Sequence, residues 1–262
     1  MLILNKCIGD GSFSKVYEYE WGGRLCAVKR EVGGIGYLER EYGIYKYLYE
    51  RDVEKMFMVP LYDFLDEGGN KYMFMKKLHM SMGDIMKKLN ESFDNYSVRN
   101  IGIRLLEILE FMHDNGVCHC DIKPENIMIN SKFNRIYLID FGLSRYYMKN
   151  GKHIPIRDDV NVGGTLRYMS VHTNNKIEIS RRDDLISLGY VLVYLQKRFL
   201  PWQSVGNRER FYRVAKMKLE IDFGELCRDC VPELEKYFEY CYELGFEERP
   251  DYDFLKKLFK DN

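Results

Sequence analysis

The chain has no apolar run as long as the roughly 18 residues that a membrane-spanning helix requires, so none is predicted. It has no net charge either, because 40 Lys and Arg balance 40 Asp and Glu. That balance excludes wholesale attraction to nucleic acid or anionic lipid, and any charged partner must be recognised locally. The opening MLILNKCIG lacks a basic leader and its apolar stretch is short, so no secretory signal is expected. The cysteines number seven, an odd count that speaks against a disulfide framework and for a reducing, intracellular setting. Cys227 and Cys230 form a C-x-x-C pair, yet only Cys241 follows and no histidine lies beyond. That is too few ligands for a structural zinc site, and buried thiols are expected instead. Internal repeats and low-complexity segments are also missing. What is present is 46% hydrophobic, 15% aromatic and 31% charged over 262 residues, enough for one large domain or two lobes sharing an interface.

The first part of the chain reads as strands with one helix. Residues 2–8, 15–19 and 25–30 are short apolar or alternating runs, with Gly22-Gly23 as a hairpin signal. Residues 37–50 have helical character, and 59–65 and 72–75 read as strands broken at Glu67-Gly68-Gly69-Asn70. Residues 76–81 are then a connector to a mostly helical region. There Ile101, Leu105, Ile108, Leu109 and Met112 recur at helical spacing, with Gly116 as the stop. Residues 185–195 are apolar on almost every side and predict a buried central helix, and 251–260 a final one.

Three segments carry chemistry. Gly9, Asp10, Gly11, Ser12, Phe13, Ser14, Lys15 and Val16 form a glycine-bearing turn between two strands. Such a turn lets backbone approach a phosphate and aims amides at its oxygens, although alone it is also an ordinary hairpin. Lys29 sits inside the apolar strand Cys26-Ala27-Val28, where a buried ammonium needs an anionic partner. In the kinase pattern that partner is a helix glutamate and the nucleotide phosphates, with Glu39 and Glu41 both in range. The decisive segment is HCDIKPENIMI, residues 119–129. Asp121 is expected to accept or orient the proton of an attacking hydroxyl, Lys123 to steady the transferred phosphoryl, and Asn126 to ligand Mg²⁺. Ile127–Ile129 then reads as a strand. Shortly after it, a second apolar strand from Ile136 delivers Asp140-Phe141-Gly142, whose carboxylate suits the same hard cation.

The runs GTLRYMSVHT (164–173), SRRDDLISLGYVLVYL (180–195), LPWQ (200–203) and RPDYDFLKKLF (249–259) closely resemble the casein kinase I family. The resemblance extends over residues 8–259. It implies an α+β, bilobal protein-kinase fold occupying 1–262 as a single domain, with a small β-rich N-lobe of about 1–77 and a larger helical C-lobe of about 78–262. It implies transfer of the ATP γ-phosphoryl group to Ser or Thr of proteins, with Mg²⁺, at acidic or already phosphorylated sites. By the same resemblance Glu41 is favoured as the partner of Lys29, and Met75 gates the adenine pocket. Residues 76–78, with Leu78, form the hinge, while Ile8, Val16 and Ala27 sandwich the base. Asp184 braces the catalytic loop, and Arg167 binds a substrate anion or, failing that, an internal carboxylate.

Several positions depart from the family. Ser14 replaces the third glycine of the usual kinase loop, and Ser170-Val171-His172 stands where most kinases have Ala-Pro-Glu. Val160 falls where the family has an anion-binding lysine, with Arg157, Arg208 and Arg210 as candidate substitutes. Cys120 replaces the arginine that normally meets a phosphorylated activation loop, so activity is expected without phosphorylation of residues 143–163. No regulatory tail is expected after the fold. The remaining expectations are a monomer without nucleic-acid or membrane partners, in the cytoplasm, with a nuclear share left open. The rival readings are a pseudokinase scaffold, a vaccinia-related-type kinase and a small-molecule phosphotransferase.

Overall fold

A computed structural model describes residues 2, 4, 6–11, 14–33, 36–161, 163–206 and 209–260. Ser12 and Phe13 of the glycine turn, and Arg208, lie outside the described residues. The chain divides into two compact units. One is formed by residues 1–80 with 128–144, the other by 81–127 with 145–262. The boundary read from the sequence, near 77, lacks the return of 128–144 to the first unit. That return is fixed by long-range bonds no local pattern encodes: His79 N–H to Ile129 O at 2.9 Å, and the Arg135 guanidinium to Lys55 O at 3.3 Å.

The first unit is built on five strands, β1 (Lys6–Asp10), β2 (Ser14–Trp21), β3 (Arg24–Glu31), β4 (Leu61–Glu67) and β5 (Asn70–Lys76), with helix α1 (Tyr37–Arg51). The sheet order is β1-β2-β3-β5-β4, and every pairing is antiparallel. Strand alternation gives the sheet two faces. On one, Cys26, Val28, Tyr72 and Phe74 are buried, with Leu2, Leu4, Tyr19 and Trp21 packed against them. The other carries Val16, Ala27, Lys29, Met73 and Met75, and the register sets Val16 against Lys29 and Ala27 against Met75. Leu2 and Leu4 thus serve the core outside β1, which begins at Lys6 rather than at residue 2. Strand β4 starts at Leu61 because Pro60 has no N–H to give a ladder, and its carbonyl accepts from Lys76 N–H instead. Helix α1 buries Leu38, Glu41, Ile44, Tyr45 and Leu48 along one stripe. It stops at Asp52, whose carboxylate takes the N–H groups of Met56, Phe57 and Met58 and turns the chain away.

The second unit is largely helical. Helix α2 (Met82–Leu89) opens on a Ser81/Asp84 capping box, and α3 (Asn95–Asp114) on Asp94, which accepts from Ser97 N–H at 2.7 Å. The rest comprises α4 (Val171–Asn174), α5 (Arg181–Lys197), α6 (Arg210–Leu219), α7 (Phe223–Leu226), α8 (Glu233–Glu243) and α9 (Tyr252–Lys260). Helix α5 is the predicted central helix, with Leu185, Ile186, Leu188, Tyr190, Val191, Leu192, Val193 and Leu195 all buried. Gly189 lets α8 approach it closely, since a Cβ there would stand 2.7 Å from Phe238 Cε1. The fold class is the expected one, a β-rich amino-terminal part and a helical carboxy-terminal part. Among the described residues no helix is long and apolar enough to cross a membrane.

Candidate active site

In the first unit, β3 and α1 bring Lys29 and Glu41 together. The Lys29 ammonium donates to both oxygens of Glu41 at 2.7 Å and to Asp140 Oδ1 at 2.7 Å. Burial by itself would lower the lysine's pKa, but the two carboxylates outweigh it and hold the group above its ordinary value, firmly protonated. The Glu41 carboxyl is pushed up by its own burial, against the pull of Lys29. The other candidate glutamate, Glu39, faces solvent and pairs with Lys71. Asp140 has a left-handed φ of 69°, uncommon for a residue with a side chain, and Phe141 behind it is buried edge-on against Tyr45.

The remaining nucleotide-site candidates fall on the same unit. Gly9 pairs with Val16, and Gly11 N–H closes the turn onto Ser14 O at 2.9 Å. Ala27 and Met75 are cross-strand neighbours on the Lys29 face, and Leu78 is buried. Ile8 is 42% exposed beside a register shift between Cys7 and Gly9. Lys15 is set against Arg30 in the register, on the sheet face opposite Lys29, and its ammonium pairs with Asp10 at 3.2 Å. Its side chain therefore belongs to the other side of the sheet from the candidates it accompanies in the sequence.

In the second unit, the catalytic-loop candidates converge on one carboxylate. Asp121 Oδ1 accepts from Thr165 N–H at 3.0 Å and from its hydroxyl at 2.8 Å. The Lys123 ammonium pairs with Asp121 Oδ2, and Asn126 Nδ2 donates to the Asp121 carbonyl at 2.9 Å. The loop itself is held from behind by Asp184, which takes the N–H of His119 at 2.7 Å and of Cys120 at 2.9 Å. Gly164 passes so close that a Cβ would lie 3.0 Å from Cys120 O, at a φ of 123° that excludes other residues.

The Asp184 brace also clarifies a possible metal cluster. His113, Cys118 and Asp184 present ligand atoms near one another, all buried. However, one His113 nitrogen is bonded to Asp184 at 3.0 Å and the other to Tyr252 Oη, and burial holds the Cys118 thiol well above its ordinary pKa. The group is a hydrogen-bond network with its capacity used. Cys227 and Cys230 are likewise thiols, pushed up to about 12 and about 11 by burial.

Arg167 lies over the rings of Tyr194 and Tyr168, at 5.3 and 5.8 Å from their centroids. Among the described residues it has no carboxylate partner, so the internal ion pair considered for it is not formed. Arg157 and Arg145 both close on the buried carboxylate of Glu178. That commits Arg157, itself largely exposed, to an internal ion pair. Thr165 and Glu178, neither singled out in the sequence, are the residues the motif reading missed. The signal for Thr165 was present in Gly164-Thr165, whereas Glu178 offered none beyond its charge.

The donor set suits the chemistry expected of it. In the first unit the Lys29 ammonium fits phosphate oxygens and the Asp140 carboxylate is a hard oxygen ligand of the kind a divalent cation takes; in the second unit, by itself, Asn126 Oδ1 is of the same type. The chain matches the family described as protein kinase domain over residues 2–261. That family's proteins use ATP and a divalent metal to phosphorylate proteins. With a match over nearly its whole length, the chain belongs to the protein kinase domain family and is a phosphotransferase of that kind.

Proposed function

We propose that the protein is a serine/threonine kinase of the casein kinase I type, using ATP with Mg²⁺ at sites made acidic by carboxylates or by earlier phosphorylation. The observation that carries this reading is the Asp121 cluster, in which one carboxylate meets Thr165 through Oδ1 and Lys123 through Oδ2. Asp121 orients the substrate hydroxyl and takes up its proton, and the Lys123 ammonium offsets negative charge on the phosphoryl group in transit. Lys29, steadied by Glu41, holds nucleotide phosphates, and Asp140 on the first unit and Asn126 on the second each offer an oxygen ligand suited to Mg²⁺. The glycine turn, Ala27, Met75 and Leu78 shape the adenine and phosphate site on the first unit.

The subfamily assignment is supported by GTLRYMSVHT, SRRDDLISLGYVLVYL and LPWQ. Contacts among these runs make them a unit: Trp202 Nε1 donates to Arg167 O at 2.7 Å, and Ser170 Oγ donates to Asp183. The acidic-site preference rests on Arg167, whose guanidinium lies by the Tyr194 and Tyr168 rings and, among the described residues, has no carboxylate ion-pair partner, so its charge suits an anion on the substrate. The protein acts as a monomer inside the cell.

Incubation with labelled ATP, Mg²⁺ and a set of serine, threonine and tyrosine peptides in neutral, acidic and primed forms tests the reading. Label should enter acidic or primed Ser/Thr peptides and vanish with Asp121→Asn. Transfer to tyrosine alone, or equal transfer to neutral peptides, would overturn the specificity. No transfer by the unaltered protein would favour a scaffold.

A further inference from the structure

Lys218, on α6, is the least expected residue of the second unit. It is a lysine with no exposed surface. Its ammonium donates to Leu166 O at 2.8 Å, Met169 O at 2.6 Å and Asn174 Oδ1 at 2.8 Å, so three donors meet three acceptors. The faces of Trp202 and Tyr190 lie 5.0 and 5.2 Å from it. Burial pulls its pKa well below the ordinary lysine value. Taking an ammonium out of water costs several kcal/mol, and a methionine of similar length would fill the space without that cost. Stability is therefore a poor reason for a lysine here. Two of its acceptors are carbonyls of the loop 164–170, and a third carbonyl of that loop, Arg167 O, is taken by Trp202 Nε1 at 2.7 Å. The same loop meets Asp121 through Thr165 N–H and Oγ1.

We infer that Lys218, with Trp202 beside it, is a positioning residue that fixes the substrate-facing loop 164–170 in register with Asp121. The inference rests on the protein-kinase reading above and adds the device that seats its substrate. The buried cation grips the loop only by backbone, and Thr165 transmits the setting to the catalytic carboxylate. Loss of the cation lets the carbonyls of Leu166 and Met169 turn, and the loop leaves the geometry in which a bound peptide presents its hydroxyl. Nucleotide contacts lie on other residues and are not disturbed.

The test compares the full chain with Lys218→Met, Lys218→Arg and Trp202→Phe. Steady-state kinetics with an acidic serine peptide should show its KM up, or its kcat down, about tenfold or more in Lys218→Met, while KM for ATP and peptide-independent ATP hydrolysis change little. Trp202→Phe, which removes one donor and keeps a ring, should move the same parameters less, and Lys218→Arg should restore part of the loss. Amide exchange should speed up at Tyr168, Met169 and Asn174 in Lys218→Met while that of α5 stays unchanged. Peptide transfer and ATP hydrolysis falling in parallel, or loop exchange unchanged, would show a merely structural lysine. If Lys218→Met does not fold, the kinetics and exchange of Trp202→Phe decide. If the unaltered protein transfers no phosphate, the kinase reading fails by itself, and the exchange data alone judge Lys218.

Discussion

Glu178 is 1% exposed, and Arg157 closes on it through both Nε and Nη2 while Arg145 reaches its other oxygen at 3.1 Å. A carboxylate built into the chain thus gathers two arginines within the activation segment, the kind of charge that a phosphorylated loop supplies in other kinases. Cys120 lies where the remaining arginine of that arrangement would be, packed beside Cys118, Tyr147 and Ile179 in an apolar cluster. The protein should therefore be active without phosphorylation. Phosphatase treatment should leave its rate toward an acidic peptide unchanged, and Glu178→Ala should lower it. Loss of most activity on phosphatase treatment would refute this.

Glu41→Gln keeps the size of the side chain and removes its charge. Because Asp140 is then the carboxylate left beside the buried Lys29 among the described residues, the ammonium should be drawn toward that metal ligand. Turnover should fall by about 10²-fold, with KM for ATP raised, and folding should weaken by up to about 3–5 kcal/mol as for other broken buried pairs. Glu39→Gln, altering an exposed pair, should do neither. Equal effects from the two would mean the pairing is not used.

Arg167→Ala should discriminate among substrates. Primed and acidic peptides should lose about 10- to 100-fold in kcat/KM, the worth of a charge-assisted bond, while a neutral serine peptide is hardly affected. A uniform loss across the three peptides would place Arg167 in loop packing against Tyr194 instead.

Gly189→Ala should destabilise the second unit without touching chemistry. The new methyl group would meet Phe238 Cε1 at 2.7 Å and Cζ at 2.8 Å, both on a ring packed against Tyr190. Overpacking of this kind costs about 1–3 kcal/mol. Thermal melting reads it, and an unchanged melting temperature would mean that α8 shifts freely.

Buried Asp183 and half-buried His172 give stability opposite dependences on pH. Burial lowers the His172 pKa from 6.5 to about 4 and raises that of Asp183 from 3.8 to about 6. The folded state keeps His172 neutral, so its contribution is complete above about 6.5 and is lost as pH falls toward 4. Asp183 holds its proton longer when folded, so its contribution falls as pH rises from about 4 to 6. His172→Gln removes only the first. Its urea midpoint relative to the unaltered protein should rise between pH 7 and pH 5, and a constant difference would contradict the assignment.

How far the sequence could be read differs by residue. Lys29, Asp121, Asn126 and Asp140 were legible because each sits at a fixed offset within a short run whose backbone form is local. Glu41 was separable from Glu39 only through the resemblance, and the stripe of Leu38, Glu41, Tyr45 and Leu48 gives the physical reason: position 41 turns inward and position 39 outward. Glu178 and Lys218 were not legible, because their partners lie 21–33 and 44–52 positions away, and Thr165 left only the pair Gly164-Thr165 as a signal of its bond to Asp121. Lys218 was further hidden by its type, since a lysine on a charged helix ordinarily reads as solvated. The break at 80/81 and the return of 128–144 depend in the same way on bonds across long separations.

The grip on loop 164–170 is made to its carbonyl oxygens, which every amino acid carries. The half-buried side chains at 166 and 167 can therefore be exchanged over generations without rebuilding what holds the loop. Substrate preference and loop support are written in separate parts of the chain, so a lineage of such proteins could change what it modifies by point substitutions on one surface and inherit the rest unaltered.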